Sequence, residues 1–85
     1  MHKLEYSKAF GKGLRKLSAN EQRAVAGKLK MLVQNPFHPS LRTKKVQRLN
    51  DVFESSVNMD IRILWVHKDE RLILLLDIGH HDILA

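Results

Sequence analysis

Arg71-Leu-Ile-Leu-Leu-Leu-Asp-Ile-Gly-His-His-Asp-Ile-Leu-Ala85 decides how the chain folds, because it joins the most apolar run of the sequence to its densest cluster of titratable side chains. Leu72 to Leu76 is five aliphatic residues in succession, fenced by Lys68-Asp69-Glu70-Arg71 before it and by Gly79 after it. A run of that length without alternation predicts the central strand of a sheet, covered on both faces. Gly79 is expected to end the strand, since glycine takes the backbone angles of a sharp exit that a β-branched residue does not. His80, His81 and Asp82 then stand at the rim of the sheet.

Working outward, the residues just upstream supply further strands. Asp60-Ile-Arg-Ile-Leu-Trp-Val-His67 reads as one, turned into the apolar run by Lys68 to Arg71, and Val52-Phe-Glu-Ser-Ser-Val57 reads as another beyond Asn58-Met59. Val46 to Leu49 predicts a third, set off by the turn signal Asn50-Asp51. Connections this short imply an antiparallel meander.

The first half of the chain has a different period. Phe10, Gly13, Leu14 and Leu17 recur at i, i+3, i+4 and i+7, while Lys8, Lys12, Arg15 and Lys16 make a basic stripe on another face of the same helix, which Ser7 can cap. Ser18-Ala-Asn-Glu21 has capping-box spacing and starts a second helix, whose apolar face is Val25, Leu29, Leu32 and Val33 and which Asn35-Pro36 stops. Leu4-Glu5-Tyr6 alternates, and predicts a short strand ahead of both helices. Helices this short need a surface to pack on, and the only one on offer is the sheet. The expectation is an α+β fold: a short N-terminal strand and a two-helix hairpin packed on an antiparallel sheet of three to four strands, with residues 1–85 as a single domain.

Composition narrows the functional classes. Without cysteine there is no disulfide framework and no thiolate metal site. No stretch reaches the roughly 18 apolar residues of a membrane span, so a soluble, cytoplasmic chain is expected. Residues 1–48 hold twelve Lys/Arg against Glu5 and Glu21, a net +10, whereas residues 49–85 carry a net −4. Charge so divided points to a polyanion or an acidic partner for the first half, with Arg42, Lys44, Lys45 and Arg48 forming a second basic cluster.

A helix hairpin followed by a meander, the loop Leu49-Asn-Asp with Phe53 after it, the strand Arg62-Ile-Leu-Trp-Val66, and the closing Gly79-His-His-Asp-Ile-Leu together resemble the RelE/ParE superfamily of small basic toxins. The resemblance covers essentially the whole chain and leans toward the RelE, YoeB and YafQ branches. It implies a RelE-like, microbial-RNase-like fold and the toxin of a type II toxin–antitoxin pair: a ribosome-dependent, metal-independent mRNA endonuclease that inhibits translation. The implied partners are a cognate acidic antitoxin in a hetero-oligomer, the ribosome and mRNA, with no cofactor and no membrane. The alternative is a ParE-like module that binds DNA gyrase without catalysis.

Carried over by position, the resemblance places Arg62 beside the scissile phosphate and His81 in proton transfer, with His80 as a weaker candidate. Lys44, Lys45 and Arg48, with the stripe Lys8, Lys12, Arg15 and Lys16, become RNA-binding. Ala85 stands where relatives carry a terminal aromatic, which implies an attenuated form. The chemistry suits these residue types. RNA cleavage without metal needs proton transfer at the 2′ and 5′ oxygens and charge stabilisation at phosphorus, supplied by a histidine that titrates near neutrality and by the guanidinium fork of arginine. The residues alone also allow blander roles: a polar His81 near a terminus, and Arg62 as a surface ion-pair partner of Glu54. A zinc site at His80, His81, Asp82 and Asp77 is disfavoured, because adjacent histidines on extended chain diverge and no second ligand cluster accompanies them. Trp65 is expected in the core.

Overall fold

The computed structural model describes residues 1–81. Strand β1 (Lys3–Tyr6) leads into helix α1 (Lys8–Arg15) and helix α2 (Ala19–Gln34). A 3-10 turn at Pro39–Leu41 is followed by β2 (Lys44–Lys45), β3 (Val52–Ser56), β4 (Ile61–Asp69) and β5 (Leu72–His80). One five-stranded sheet results, in the order β1-β5-β4-β3-β2. The α+β architecture expected from the sequence is present, with the helix hairpin on one face of the sheet.

Local signals account for the helix ends. The Ser7 hydroxyl accepts from the Phe10 amide at 3.0 Å and donates to the Leu76 carbonyl at 2.6 Å, so one side chain caps α1 and ties it to the sheet. Ser18 and Glu21 form the reciprocal capping box, with Ser18 N–H to Glu21 Oε1 at 2.8 Å and Glu21 N–H to Ser18 Oγ at 3.1 Å. Phe10, Val25 and Leu32 from the helices and Leu17 from the link between them bury against Ile61, Ile63, Trp65, Ile73, Leu75 and Ile78 from the sheet. Trp65 is wholly buried, and its indole N–H donates to Ser55 Oγ at 2.8 Å, which satisfies its one polar atom.

The strand details differ from the expectation in four places. β4, not the apolar run, is the middle strand. β5 alternates, with Ile73, Leu75 and Ile78 buried and Leu72, Leu74 and Leu76 half-buried, because helices cover only one face of the sheet. β5 also continues through Gly79 to His80, since Ile61 and Arg62 at the start of β4 remain there to pair with His80 and Gly79. Val46 to Leu49 is turn, and the short strand lies two residues earlier at Lys44–Lys45, because the Leu49 amide closes back on the Val46 carbonyl at 3.1 Å. The meander is antiparallel from β2 to β5, while β1 joins its edge in parallel, Leu4 beside Ile73 and Tyr6 beside Leu75. A parallel neighbour needs a long crossover, which the helix hairpin and the rest of the sheet provide.

Candidate functional site

The face of the sheet away from the helices carries the Arg62 site. Residues opposite one another on antiparallel strands share a face, and diagonal neighbours lie within reach of long side chains. Lys44 is opposite Glu54, and Arg62 is opposite Ser56, so Glu54 is diagonal to Arg62. Glu54 Oε1 lies 3.7 Å from Lys44 Nζ and 3.8 Å from Arg62 Nε, which makes a row of alternating charge across three strands. The row is graded in exposure: the Lys44 side chain is 72 % exposed, that of Arg62 21 % and that of Glu54 11 %. The predicted ion pair of Arg62 with Glu54 is therefore real, but it is sheltered, and it holds the guanidinium in place.

Two backbone carbonyls fix Arg62 further. Its Nη1 donates to Asn58 O at 2.6 Å and to Ile61 O at 3.2 Å. Asn58 can present that carbonyl because its own side chain closes the turn, Oδ1 accepting from the Asp60 and Ile61 amides at 2.8 and 2.9 Å. On the other side of Arg62, its register partner on β5 is Gly79, which has no side chain to cover the guanidinium. His81 follows Gly79 by two residues, at most about 7 Å along the chain, and is exposed. The start of β4 and the end of β5 thus bring Arg62 and His81 to one end of the sheet.

His80 belongs to a different environment. It pairs with Ile61, and its Nε2 lies 3.5 Å from Glu21 Oε2 at the start of α2. With Lys12, Lys16 and Asp77 it lines a groove between α1 and β5, so half of the predicted basic stripe gathers at His80 rather than at Arg62. Lys8 and Arg15 border a second hollow on α1 beside Tyr6. Lys44, Lys45 and Arg48 line a depression together with Glu54, continuous with the Arg62 row through that carboxylate. Glu21 is held below the usual carboxylate range, mainly by the Ser18 backbone N–H, with the Ser18 hydroxyl and His80 acting in the same direction and partial burial opposing them. Ala85 and Asp82 lie outside the described residues.

Next to Arg62 a cavity of about 290 Å3 is lined by Lys28, Ser40, Arg42, Ser56, Val57, Asn58, Met59 and Arg62. Nothing in the sequence singles out Lys28 on α2, Ser56 at the end of β3 or the turn residue Asn58. Lys28 carries no spacing signal to separate it from Lys30, and Asn58 reads only as a turn residue. Among the described residues, no group of three or more His, Asp or Glu side chains is placed to hold a metal ion. Nor is any helix long and apolar enough to cross a membrane.

The arrangement is that of a small α+β protein with an anchored arginine on an open sheet face and cationic hollows around it. Solved structures share the fold along the whole chain. YafQ from Escherichia coli superposes with a TM-score of 0.79 at 16% identity, covering 99% of this chain and 98% of that one. The archaeal RelE–RelB complex from Pyrococcus horikoshii gives 0.77 at 16% identity, covering 96% and 97%. A YoeB/ParE toxin from Agrobacterium tumefaciens gives 0.78 at 8% identity, covering 93% and 98%. No protein-family model and no curated protein sequence matches the chain. The fold is that of the RelE and YafQ toxins.

Proposed function

We propose that this chain is the toxin of a toxin–antitoxin pair and acts as a metal-independent endoribonuclease on messenger RNA at the ribosome, inhibiting translation. The observation that carries the reading is Arg62: a guanidinium anchored by two carbonyls and Glu54 on an open sheet face, with His81 two residues beyond its glycine partner. In this reading Arg62 binds the scissile phosphate and stabilises the charge that builds up there, and its fixed geometry spares reorganisation in the transition state. His81 exchanges protons with the reacting oxygens. Glu54 is a positioning residue, and Lys44, Lys45 and Arg48 hold the RNA backbone. His80, bonded toward α2, is assigned to the α1 groove, where Lys12 and Lys16 meet either ribosomal RNA or an acidic antitoxin that folds on contact.

Mapping the ends of messenger RNA translated in the presence of the protein tests this directly. Arg62→Ala and His81→Ala are each expected to lower single-turnover cleavage by about 10² to 10³, the usual cost of removing one transition-state donor, with the fold unchanged. Equal cleavage by wild type and both variants removes the site assignment. No cleavage by wild type, with inhibition of gyrase instead, selects the ParE-like alternative.

A further inference from the structure

The cavity beside Arg62 has a composition that the ion-pair row does not explain. Three elements send a cation to it: Lys28 from α2, Arg42 from the end of the 3-10 turn, and Arg62 from β4. Among the described residues, no Asp or Glu lines it, and the acid paired with Arg62 is Glu54, which is already shared with Lys44. Among the described residues the side chains of Lys28 and Arg42 make no hydrogen bond or ion pair, and Lys28 is half-buried where its neighbour Lys30 on the same helix is exposed. Cations gathered around one hollow without an acid repel one another and raise the local concentration of anions.

The remaining lining combines hydrogen-bonding groups with the apolar Val57 and Met59. Ser56 and Ser40 contribute hydroxyls, and Asn58, whose Oδ1 is occupied by two backbone amides, has its NH2 to donate. Arg42 is set in place by an unusual backbone: its φ of 48° and ψ of 42° are left-handed, a conformation that non-glycine residues rarely adopt. At about 290 Å3 the cavity falls at the floor of the roughly 300 to 1,000 Å3 usual for small organic ligands. A small oxyanion such as a phosphodiester suits it better.

We propose that this cavity is a second phosphate subsite, in which Lys28 and Arg42 bind a backbone phosphate of single-stranded RNA adjoining the one held by Arg62. The proposal rests on the nuclease reading above and adds two binding residues from outside the sheet. It places the RNA across the seam between α2 and the start of β4, so that the strand is held on both sides of Arg62.

The test uses the full chain and a short, uncleavable 2′-O-methyl oligoribonucleotide, with affinity measured over a series of salt concentrations. Each phosphate contact on single-stranded nucleic acid adds about 0.7 to the slope of log K against log salt, so Lys28→Gln/Arg42→Gln, which empties the one subsite, should flatten the slope by about 0.7. Lys28→Gln alone should flatten it in the same direction by no more than that, which keeps the test valid if Arg42→Gln disturbs its turn, and Lys30→Gln should leave it unchanged. In parallel, inorganic phosphate should shift the amide resonances of Ser56 and Asn58 in wild type and not in the double variant. A wild-type slope in the double variant overturns the subsite, while messenger cleavage by the same preparation leaves the nuclease reading standing. Failure of wild type to bind the oligonucleotide overturns the subsite alone, and failure to cleave messenger RNA on the ribosome overturns both.

Discussion

The two faces of the sheet are built from alternate residues of the same strands, yet they do different work. Toward the helices, Ile61, Ile63, Trp65, Ile73, Leu75 and Ile78 are all at most 3 % exposed and close against Phe10, Leu17, Val25 and Leu32. Away from them, Val46, Val52 and Leu64 form a separate small cluster with Val66 and Leu76, and the same face carries Lys44, Glu54 and Arg62. The first face is dry and closely packed. The second is a thin apolar floor that keeps the Glu54 and Arg62 side chains sheltered, where their interaction is stronger than in open solvent, while leaving their far sides open. Stability is thereby concentrated on one face, which frees the other to hold charge.

Substitutions that probe the two faces should separate accordingly. Trp65→Ala removes the largest buried side chain and the Ser55 hydrogen bond, and is expected to cost about 3–5 kcal/mol in denaturant unfolding. Leu75→Ala should fall in the upper part of the range of about 2–5 kcal/mol, and Leu64→Ala, on the open face, at or below its lower end. Equal losses for Leu75→Ala and Leu64→Ala would break the comparison, because the open face would then be core as well.

Two glycines sharpen the same contrast at the helix–sheet seam. A Cβ at Gly13 would lie 2.4 Å from the Ile78 carbonyl oxygen and 2.9 Å from its Cγ2, so α1 must move off β5 to admit it. Gly13→Ala is expected to destabilise by about 1–3 kcal/mol in spite of alanine's better helix propensity. Gly27 has nothing within 4 Å of such an atom, and Gly27→Ala in α2 should stabilise by about 0.5–1 kcal/mol. Thermal unfolding of the two variants side by side measures both signs. A stabilising Gly13→Ala would mean that α1 is not seated closely on the sheet.

How far the sequence discloses this architecture depends on the kind of signal each element carries. The capping box, the cap at Ser7 and the two apolar helix faces are local patterns, and each appears where its spacing puts it. The Arg62–Glu54 pair was readable because two neighbouring strands and a short turn fix their diagonal relation. The apolar run misled, because five aliphatic residues look the same whether both faces are covered or one face is covered and the other carries a thin cluster. The parallel pairing of β1 and the approach of Lys28 and Arg42 to Arg62 join residues far apart in sequence. No local period encodes either of them. His80 and His81 are adjacent in sequence, and only the register of β4 with β5 sends the first toward Glu21.

The smallest expected effect concerns that contact at the helix side of the seam. Glu21 is held below its ordinary value of 4.5, chiefly by the Ser18 backbone N–H, then by the Ser18 hydroxyl and by His80, against an opposing contribution from partial burial. A carboxyl whose pKa is lower in the folded protein than in the unfolded chain binds fewer protons when folded. Its contribution to stability is therefore fully present above the unfolded value and is lost as the pH falls through the folded one. Glu21→Gln retains a capping-box side chain, as glutamine also reaches the Ser18 amide, but it cannot titrate. Wild type should be the more stable of the two at neutral pH, with the difference in melting temperature shrinking as the solution is acidified through the carboxylate range. His80→Gln in the same series should make the difference smaller without abolishing it, because the Ser18 backbone N–H is the larger cause. A difference between wild type and Glu21→Gln that stays constant across the whole range would show that the carboxylate acts only as a neutral cap, and that His80 is free to serve the groove between α1 and β5.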